Sequence, residues 1–185
     1  TVTSELLLFP GDLIIVDGGS IDGTPELGSK YGIIISAPQG RSAQMNAGAS
    51  KATGDILWFL HADCIPHVDS LRAIKQIMQN NEVIGGAFEY RLDGNGIFYR
   101  IAVSLSNLKN KRFLLLYGDM GIFIRASAFR QLRGFQDIPI MEDLDFGQRL
   151  KKLGKIVILP LPIMTSARRW KKEGAVKNFS RNWLL

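Results

Sequence analysis

Polar side chains that could contact a ligand follow two apolar segments of the chain. Asp17 comes directly after the β-branched segment 13–16. His61 and Asp63 come directly after the apolar segment 56–60. A carboxylate at the end of a strand can accept hydrogen bonds from a nucleobase or a ribose, and in α/β sheets ligands bind beyond the carboxyl ends of the strands. The sequence therefore predicts a ligand site at these strand ends.

The turn after Asp17 is not one of the common phosphate-binding loops. No Gly-Lys-Ser/Thr follows it, which excludes a P-loop, and its glycine spacing differs from that of the dinucleotide-binding motif. The same residues also suit an ordinary turn that leads into a helix, with Asp22 or Thr24 as the N-cap before Pro25. Both interpretations stay open at this point.

A zinc cluster is an alternative interpretation of the second strand end. The residues with zinc-ligand side chains there are His61, Asp63, Cys64 and His67. The chain has no other cysteine or histidine that could complete a structural zinc site. This composition makes zinc the less favoured interpretation.

Three acidic residues stand together later in the chain, within 142–145. They fall at the predicted start of a helix, where acidic side chains are favoured by the helix macrodipole alone. A carboxylate in such a position can also take a proton during catalysis. The sequence alone is compatible with both roles.

Short apolar segments alternate with helical patterns along the chain. The predicted strands are 13–16, 33–35, 56–60, 83–90, 121–124 and 157–159, and the predicted helices are 42–52, 71–78 and 143–153. Strands that alternate with helices form a mostly parallel sheet covered by helices on both faces. We therefore predict an α/β fold in a single domain, 1–185.

Composition limits the classes of protein that this chain can belong to. Hydrophobic residues make up 46% of the 185 residues and charged residues 22%, which excludes disorder. No apolar run approaches the ~18 residues of a membrane-spanning helix. The single cysteine, Cys64, excludes an internal disulfide and fits a reducing compartment. We expect a cytoplasmic protein.

The positive charge is concentrated in the second half of the chain. Residues 1–108 carry 7 Lys/Arg against 11 Asp/Glu, whereas residues 109–185 carry 16 against 6. The first half is therefore not basic and aromatic residues are few, so we expect no nucleic-acid partner. The segment 168–181 has six basic residues and one glutamate, which predicts contact with an anionic membrane surface at the inner face of the membrane.

The order of several motifs resembles that of the family 2 glycosyltransferases. VDGGSxDGT at 16–24 is followed by Asn-x-Gly at 46–48, His-Ala-Asp at 61–63 and Glu-Asp at 142–143. GRSAQMNAGA, FLHADC, YGDMGIF and SARRW resemble a subgroup of small bacterial members. The resemblance implies the GT-A fold, a Rossmann-like sheet that binds a nucleotide-diphosphate-sugar, with a UDP-sugar favoured, and usually Mg²⁺ or Mn²⁺.

The resemblance also implies where the donor binds. Asp17 matches the aspartate that contacts the base, Arg41 lies where the family often has a basic residue near the diphosphate, and Asp63 matches the last carboxylate of the Asp-x-Asp metal motif. His61 replaces the first carboxylate of that motif and is a second candidate metal ligand. The implied nucleotide-sugar-binding residues are Asp17, Gly18, Ser20, Arg41, His61, Asp63, Arg169 and Trp170.

On the acceptor side, the resemblance points to Asp143 as the catalytic base of an inverting transfer. Glu142 and Asp119 are the implied acceptor-side residues. Arg169 and Trp170 resemble the end of a Gln-x-x-Arg-Trp motif of processive relatives, but the glutamine position holds serine, which argues against a polymer synthase. A sugar nucleotidyltransferase, an inactive nucleotide-sugar-binding module and an RNA-binding domain are the alternatives.

The beginning of the chain departs from the family pattern. Family members usually start with a strand and a loop that helps to hold the nucleotide. Residues 1–8 instead have the pattern of the helix that follows that strand. Either the protein has lost this strand or the numbered chain omits it, and we favour omission. We therefore expect a domain without the family's first strand and a gap of one strand in the sheet.

Overall fold

The structure is a computed structural model that describes residues 11–94 and 96–167. The strands are β1 (Ile14–Asp17), β2 (Ile33–Ser36), β3 (Ile56–Trp58), β4 (Cys64–Pro66), β5 (Val83–Asp93), β6 (Phe123–Arg125) and β7 (Lys155–Ser166). The helices are α1 (Thr24–Gly28), α2 (Arg41–Lys51), α3 (Ser70–Ile77), α4 (Ile97–Phe113), α5 (Ala126–Gln131) and α6 (Glu142–Leu153). A short 3-10 helix, Gly118–Met120, precedes β6.

The described strands form two sheets. β1 and β2 pair in parallel, and the second sheet has the order β3-β6-β5-β7-β4. Its longest pairing, β5 with β7, is parallel, whereas β3 with β6, β6 with β5 and β7 with β4 are antiparallel. Most paired residues therefore lie in parallel pairs, and the predicted α/β fold is confirmed.

Within the described ranges, no strand joins β1 or β2 to the five-stranded sheet. The predicted gap concerns a strand that would precede this part of the chain. The lack of the family's first strand stays a prediction, and residues 1–8 lie outside the described residues. No helix of the described ranges is both long enough and apolar enough to span a bilayer.

β7 is longer than the predicted strand 157–159. The predicted strand ends before Pro160 and Pro162. The parallel register between β5 and β7 shifts between Phe88 and Glu89, so that two residues of β7 lie between their partners. Pro160 lies in this irregular stretch, where it removes no regular ladder hydrogen bond, and the strand resumes at Pro162, which pairs with Glu89.

An aromatic cluster in the main core fixes the position of α6. Phe146 of α6 is fully buried and stacks on Phe135 with the ring centroids 4.2 Å apart. Phe129 of α5 contacts both rings at 5.6 and 5.8 Å. Because buried aromatic rings contribute large apolar areas, this cluster anchors the helix whose first turn carries the candidate catalytic acids.

Candidate active site

Asp17 ends β1 and organises the turn that follows it. Its Oδ2 accepts hydrogen bonds from the backbone N–H groups of Gly19 at 2.9 Å and Ser20 at 3.0 Å. Hydrogen bonds from Ser20 and Gly19 lower the pKa of the Asp17 carboxyl, so it is ionised at neutral pH. Its Oδ1 also lies 3.3 Å from the Ser20 N–H, and because each carboxylate oxygen has two lone pairs, the group retains acceptor capacity.

Helix α2 connects this turn with the rest of the site. Gln44 packs against Gly18, where a Cβ would lie 3.0 Å from the Gln44 Nε2. One turn earlier in the helix, the Nη1 of Arg41 lies 3.7 Å from the Oε1 of Glu142 in α6. Residues three apart lie on the same side of a helix. The first turn of α2 therefore bridges the Asp17 turn and the start of α6.

Asn46 and Arg149 hold the loop that leads toward α6. Asn46 donates a hydrogen bond from Nδ2 to the carbonyl oxygen of Phe135 at 2.8 Å and accepts one from the Phe135 N–H at 2.9 Å. Arg149 donates to the carbonyl oxygens of Leu132 at 2.9 Å and Gly134 at 3.0 Å. Two helices thus fix the path of the chain into α6.

Asp143 lies in the first turn of α6 and is buried. Its Oδ2 accepts a hydrogen bond from the Gly118 N–H at 2.6 Å, and its Oδ1 accepts one from the Leu144 N–H at 2.7 Å. The neighbouring Glu142 is also buried, and its Oε1 has no hydrogen-bond partner among the described residues. The backbone therefore orients Asp143, whereas Glu142 has Arg41 as its nearby opposite charge.

His61 and Asp143 meet at Gly118. A Cβ at this glycine would lie 2.5 Å from the His61 Nε2 and 3.3 Å from the Asp143 Oδ2, so only glycine leaves room for both side chains. The His61 Nε2 is buried and has no hydrogen-bond partner among the residues that the structure describes. Burial, followed by the charge of Arg41, lowers the pKa of His61, which keeps the ring neutral at pH 7.

Asp119 and Tyr117 complete this group. Burial and the charge of Asp143 raise the pKa of Asp119 to about 7. Burial also raises the pKa of Tyr117, whose hydroxyl is buried and has no hydrogen-bond partner within the described ranges. The hydroxyl of Thr165 in β7 donates to the backbone carbonyl of Asp119 at 3.4 Å. The site therefore includes a carboxyl that exchanges its proton near neutral pH.

The described residues do not form a zinc cluster. No three His, Cys, Asp or Glu side chains within 11–94 and 96–167 come close enough to hold a metal ion. Burial raises the pKa of the Cys64 thiol to about 11, which disfavours the thiolate that zinc needs. His67 accepts a hydrogen bond from the Asp69 N–H in the turn before α3. The described residues therefore do not support the zinc interpretation. Asp63 lies exposed on the turn after β3.

The structure divides the predicted site residues into groups. One group surrounds Gly118 and consists of Arg41, His61, Asp119, Glu142 and Asp143. A second group forms the turn after β1 and consists of Asp17, Gly18 and Ser20. Arg169 and Trp170, with the basic segment 168–181, lie outside the described residues.

Sequence reasoning missed Gln44, Tyr117 and Gly118. The position of Gln44, three residues after Arg41 in a predicted helix, is a signal that could have identified it. Gly118 belongs to the YGDMGIF motif, but its need for space could not be predicted, because that need comes from His61, which is distant in the chain. Long-range contacts of this kind require the fold.

Comparison with known proteins identifies the class. The sequence model described as Glycosyl transferase family 2 matches residues 10–137, which is more than half of the chain. The chain therefore belongs to the family 2 glycosyltransferases. The resemblance noted in the motifs is confirmed at the level of the family.

Two curated relatives are similar over part of the chain. The glycosyltransferase AglE of Haloferax volcanii is 30% identical over 110 residues, 54% of this chain and 36% of the relative. An uncharacterized glycosyltransferase of Nostoc sp., alr2836, is 32% identical over 82 residues, 40% of this chain and 26% of the relative. The matched segments thus span about a third of the relatives' length or less.

Solved structures share the fold. A mannosyltransferase of Pyrobaculum calidifontis, PcManGT in complex with GDP-Man and Mn²⁺, superposes with a TM-score of 0.67 at 17% identity, covering 83% of this chain and 47% of that one. Residues 1–349 of S. aureus TarS in complex with UDP-GlcNAc give 0.66 at 15% identity, covering 90% and 54%. These likenesses support the GT-A fold.

Proposed function

We propose that this domain is an inverting glycosyltransferase that moves a sugar from a nucleoside-diphosphate donor to a hydroxyl group of an acceptor. The observation that carries the proposal is the buried carboxylate of Asp143, which the Gly118 N–H holds at 2.6 Å next to His61. Inverting transfer needs one carboxylate near the acceptor hydroxyl, opposite the departing diphosphate.

Asp143 acts as the base in this proposal. As the acceptor oxygen bonds to the anomeric carbon, its proton moves to the Asp143 carboxylate, and the nucleoside diphosphate leaves with the electron pair of the broken bond. Each Asp143 oxygen accepts one backbone N–H, so lone pairs remain for that proton. Asp119 and Glu142 orient the acceptor from the same pocket.

The donor is proposed to lie between the Asp17 turn and α6. The Oδ1 of Asp17 retains acceptor capacity for a base N–H, which supports a uracil-containing donor bound by Asp17, Gly18 and Ser20. Arg41 is half-exposed at the N-terminus of α2, where backbone N–H groups also favour an anion. It can therefore exchange its contact with Glu142 for the diphosphate.

Asp63 is proposed to hold Mg²⁺ or Mn²⁺. Its exposed carboxylate offers the oxygen ligand that these cations prefer, and the diphosphate and water complete such a site. The buried His61 Nε2, which lacks a partner among the described residues, can serve as a second ligand or contact a phosphate oxygen. A divalent ion would neutralise the leaving diphosphate.

A nucleotide-sugar-binding module without catalytic activity is the second candidate. His61 favours it, because this residue stands where the family's metal motif has its first carboxylate. Two finer proposals rest on the sequence motifs alone. They are that the protein belongs to a subgroup of small bacterial enzymes and that it transfers single sugars.

The test is release of nucleoside diphosphate from labelled UDP-sugars and GDP-sugars, with Mg²⁺ or Mn²⁺ and simple hydroxyl acceptors. Asp143→Asn is expected to lower turnover about 100-fold or more while donor affinity is kept. Asp69→Asn, which replaces an acidic residue before α3, is the matched control. Release at the parental rate by Asp143→Asn would transfer the base role to Glu142 or Asp119. Donor binding without any release would favour the binding module.

A further inference from the structure

Helix α4 presents apolar side chains to solvent along its outer face. Ile97, Ile101, Leu105 and Leu108, here called the α4 stripe, recur every three to four residues and are 70%, 52%, 40% and 66% exposed. This spacing places them on one side of the helix. An ordinary surface helix has polar residues there, so the α4 stripe indicates a surface that is covered by a partner.

Contacts on the inner side of α4 fix the orientation of the helix about its axis, so the stripe residues are not core residues turned outward. Ala102 and Asn110 are buried on the side that faces the protein. Asn107 donates to the Tyr90 carbonyl and accepts from the Tyr90 N–H, both at 2.9 Å. Lys151 of α6 donates to the Phe113 carbonyl at the end of α4. The helix is therefore anchored with its apolar stripe outward.

The charge of α4 has a single sign. The helix carries Arg100, Lys109, Lys111 and Arg112 and no acidic residue. Lys111 forms an ion pair with Glu89 of β5. Leu105 and Leu108 of the stripe, together with Arg112, line a shallow groove of about 410 Å³. An apolar stripe flanked by cations is the pattern of an interfacial helix.

We propose that α4 docks this protein onto an anionic lipid bilayer, with the α4 stripe inserted among the lipids and its basic residues at the head groups. A second copy of the chain fits less well, because a two-fold interface would bring two acid-free cationic helices together. The segment 168–181 is also a less suitable partner for the α4 stripe. It carries six basic residues and one glutamate, so its positive charge would repel the cations of α4.

The inner side of α4, opposite the stripe, packs against residues of the candidate active site. The Nζ of Lys109 lies 5.9 Å from the ring centroid of Tyr117, and Asn110 contacts the Sδ of Met120 at 3.4 Å. The last turns of α4 thus pack beside the 3-10 helix that carries Asp119. Docking through α4 would bring this end of the site near the lipid head groups.

The test is co-sedimentation of the full chain with phosphatidylcholine vesicles, with and without phosphatidylglycerol, at low and high salt. We expect binding to the anionic vesicles that weakens with salt. Ile101→Gln combined with Leu108→Gln is expected to lower the partition coefficient about tenfold or more with unchanged thermal unfolding. Leu27→Gln combined with Val68→Gln, at positions 56% and 57% exposed elsewhere, is the matched control and is expected to bind like the parent.

Three results would overturn the proposal. The first is the absence of binding by the parent protein at low salt. The second is unchanged binding by the stripe variant, which would assign any membrane contact to the segment 168–181. The third is a concentration-dependent dimer in sedimentation velocity that the stripe variant abolishes, without vesicle binding, which would assign the stripe to a second copy of the chain.

Discussion

The Asp17 turn and the residues around Gly118 satisfy their polar atoms in different ways. Asp17 receives two short hydrogen bonds from the turn that follows it, and the turn is complete without a ligand. Around Gly118, in contrast, buried atoms of His61, Tyr117 and Glu142 lack hydrogen-bond partners among the described residues. An unsatisfied buried polar atom destabilises the fold by about 1–3 kcal/mol. The residues around Gly118 are therefore the region where a bound molecule would supply the missing hydrogen bonds.

This difference separates two kinds of evidence. A motif such as Asp-Gly-Gly-Ser is compatible with a structural turn, because the turn alone explains its hydrogen bonds. Three orphaned polar atoms beside a buried carboxylate have no such local explanation, since each of them costs stability. Substitutions in the two regions should therefore have different consequences for binding and for stability.

The largest effect is expected at Gly118. Gly118→Ala would place a methyl group 2.5 Å from the His61 ring, and displacement of the ring should destabilise the protein by about 1–3 kcal/mol and strongly lower turnover. Denaturant unfolding and donor turnover measure both effects. Gly54→Ala is the control, because the nearest atom to its Cβ would be 3.7 Å away. If adding His61→Ala does not restore stability to Gly118→Ala, the proposed clash is not the cause.

The next effect tests whether Asp17 does more than shape its turn. Asp17→Asn keeps an oxygen that can accept from Gly19 and Ser20 but removes the charge. If Asp17 contacts the base, nucleotide affinity in calorimetry should fall about tenfold, with stability little changed. Asp22→Asn, in the same loop, is the matched control. Unchanged affinity in Asp17→Asn would leave this residue with a purely structural role.

The sequence predicts the elements of the fold better than the details of the site. The polar residues at strand ends could be predicted because ligand sites in α/β sheets follow topology. The meeting of Arg41, His61 and Asp143 could not, because it depends on long-range packing around Gly118. α4 escaped prediction for a different reason: apolar residues lie on its exposed side as well as on its core-facing side, so the sequence has no single apolar face there.

A smaller effect is expected in the pH dependence of stability. The pKa of Asp119 is raised to about 7, so the folded state binds a proton that the unfolded state loses near pH 4. Stability from this residue is present below pH 4 and is lost as the pH rises through 7. The free energy of unfolding of Asp119→Asn minus that of the parent should therefore be about 1–3 kcal/mol larger at pH 8 than at pH 5. Urea unfolding at the two pH values measures this difference, and Asp55→Asn is the control. If the stability of the parent and that of Asp119→Asn change equally between pH 5 and pH 8, the assignment is contradicted.

The smallest effect is expected from removal of the Tyr117 hydroxyl. Tyr117→Phe keeps the ring beside Lys109 and deletes one buried oxygen that has no partner among the described residues. Without ligand, the variant should be as stable as the parent or more stable by about 1 kcal/mol, because no hydrogen bond is lost. If the hydroxyl binds substrate, KM for donor or acceptor should rise about threefold to tenfold with a smaller change in kcat. A stabilised variant with unchanged KM would remove Tyr117 from substrate binding. A clearly destabilised variant would show that the hydroxyl already has a partner, and the contrast with the Asp17 turn would weaken accordingly.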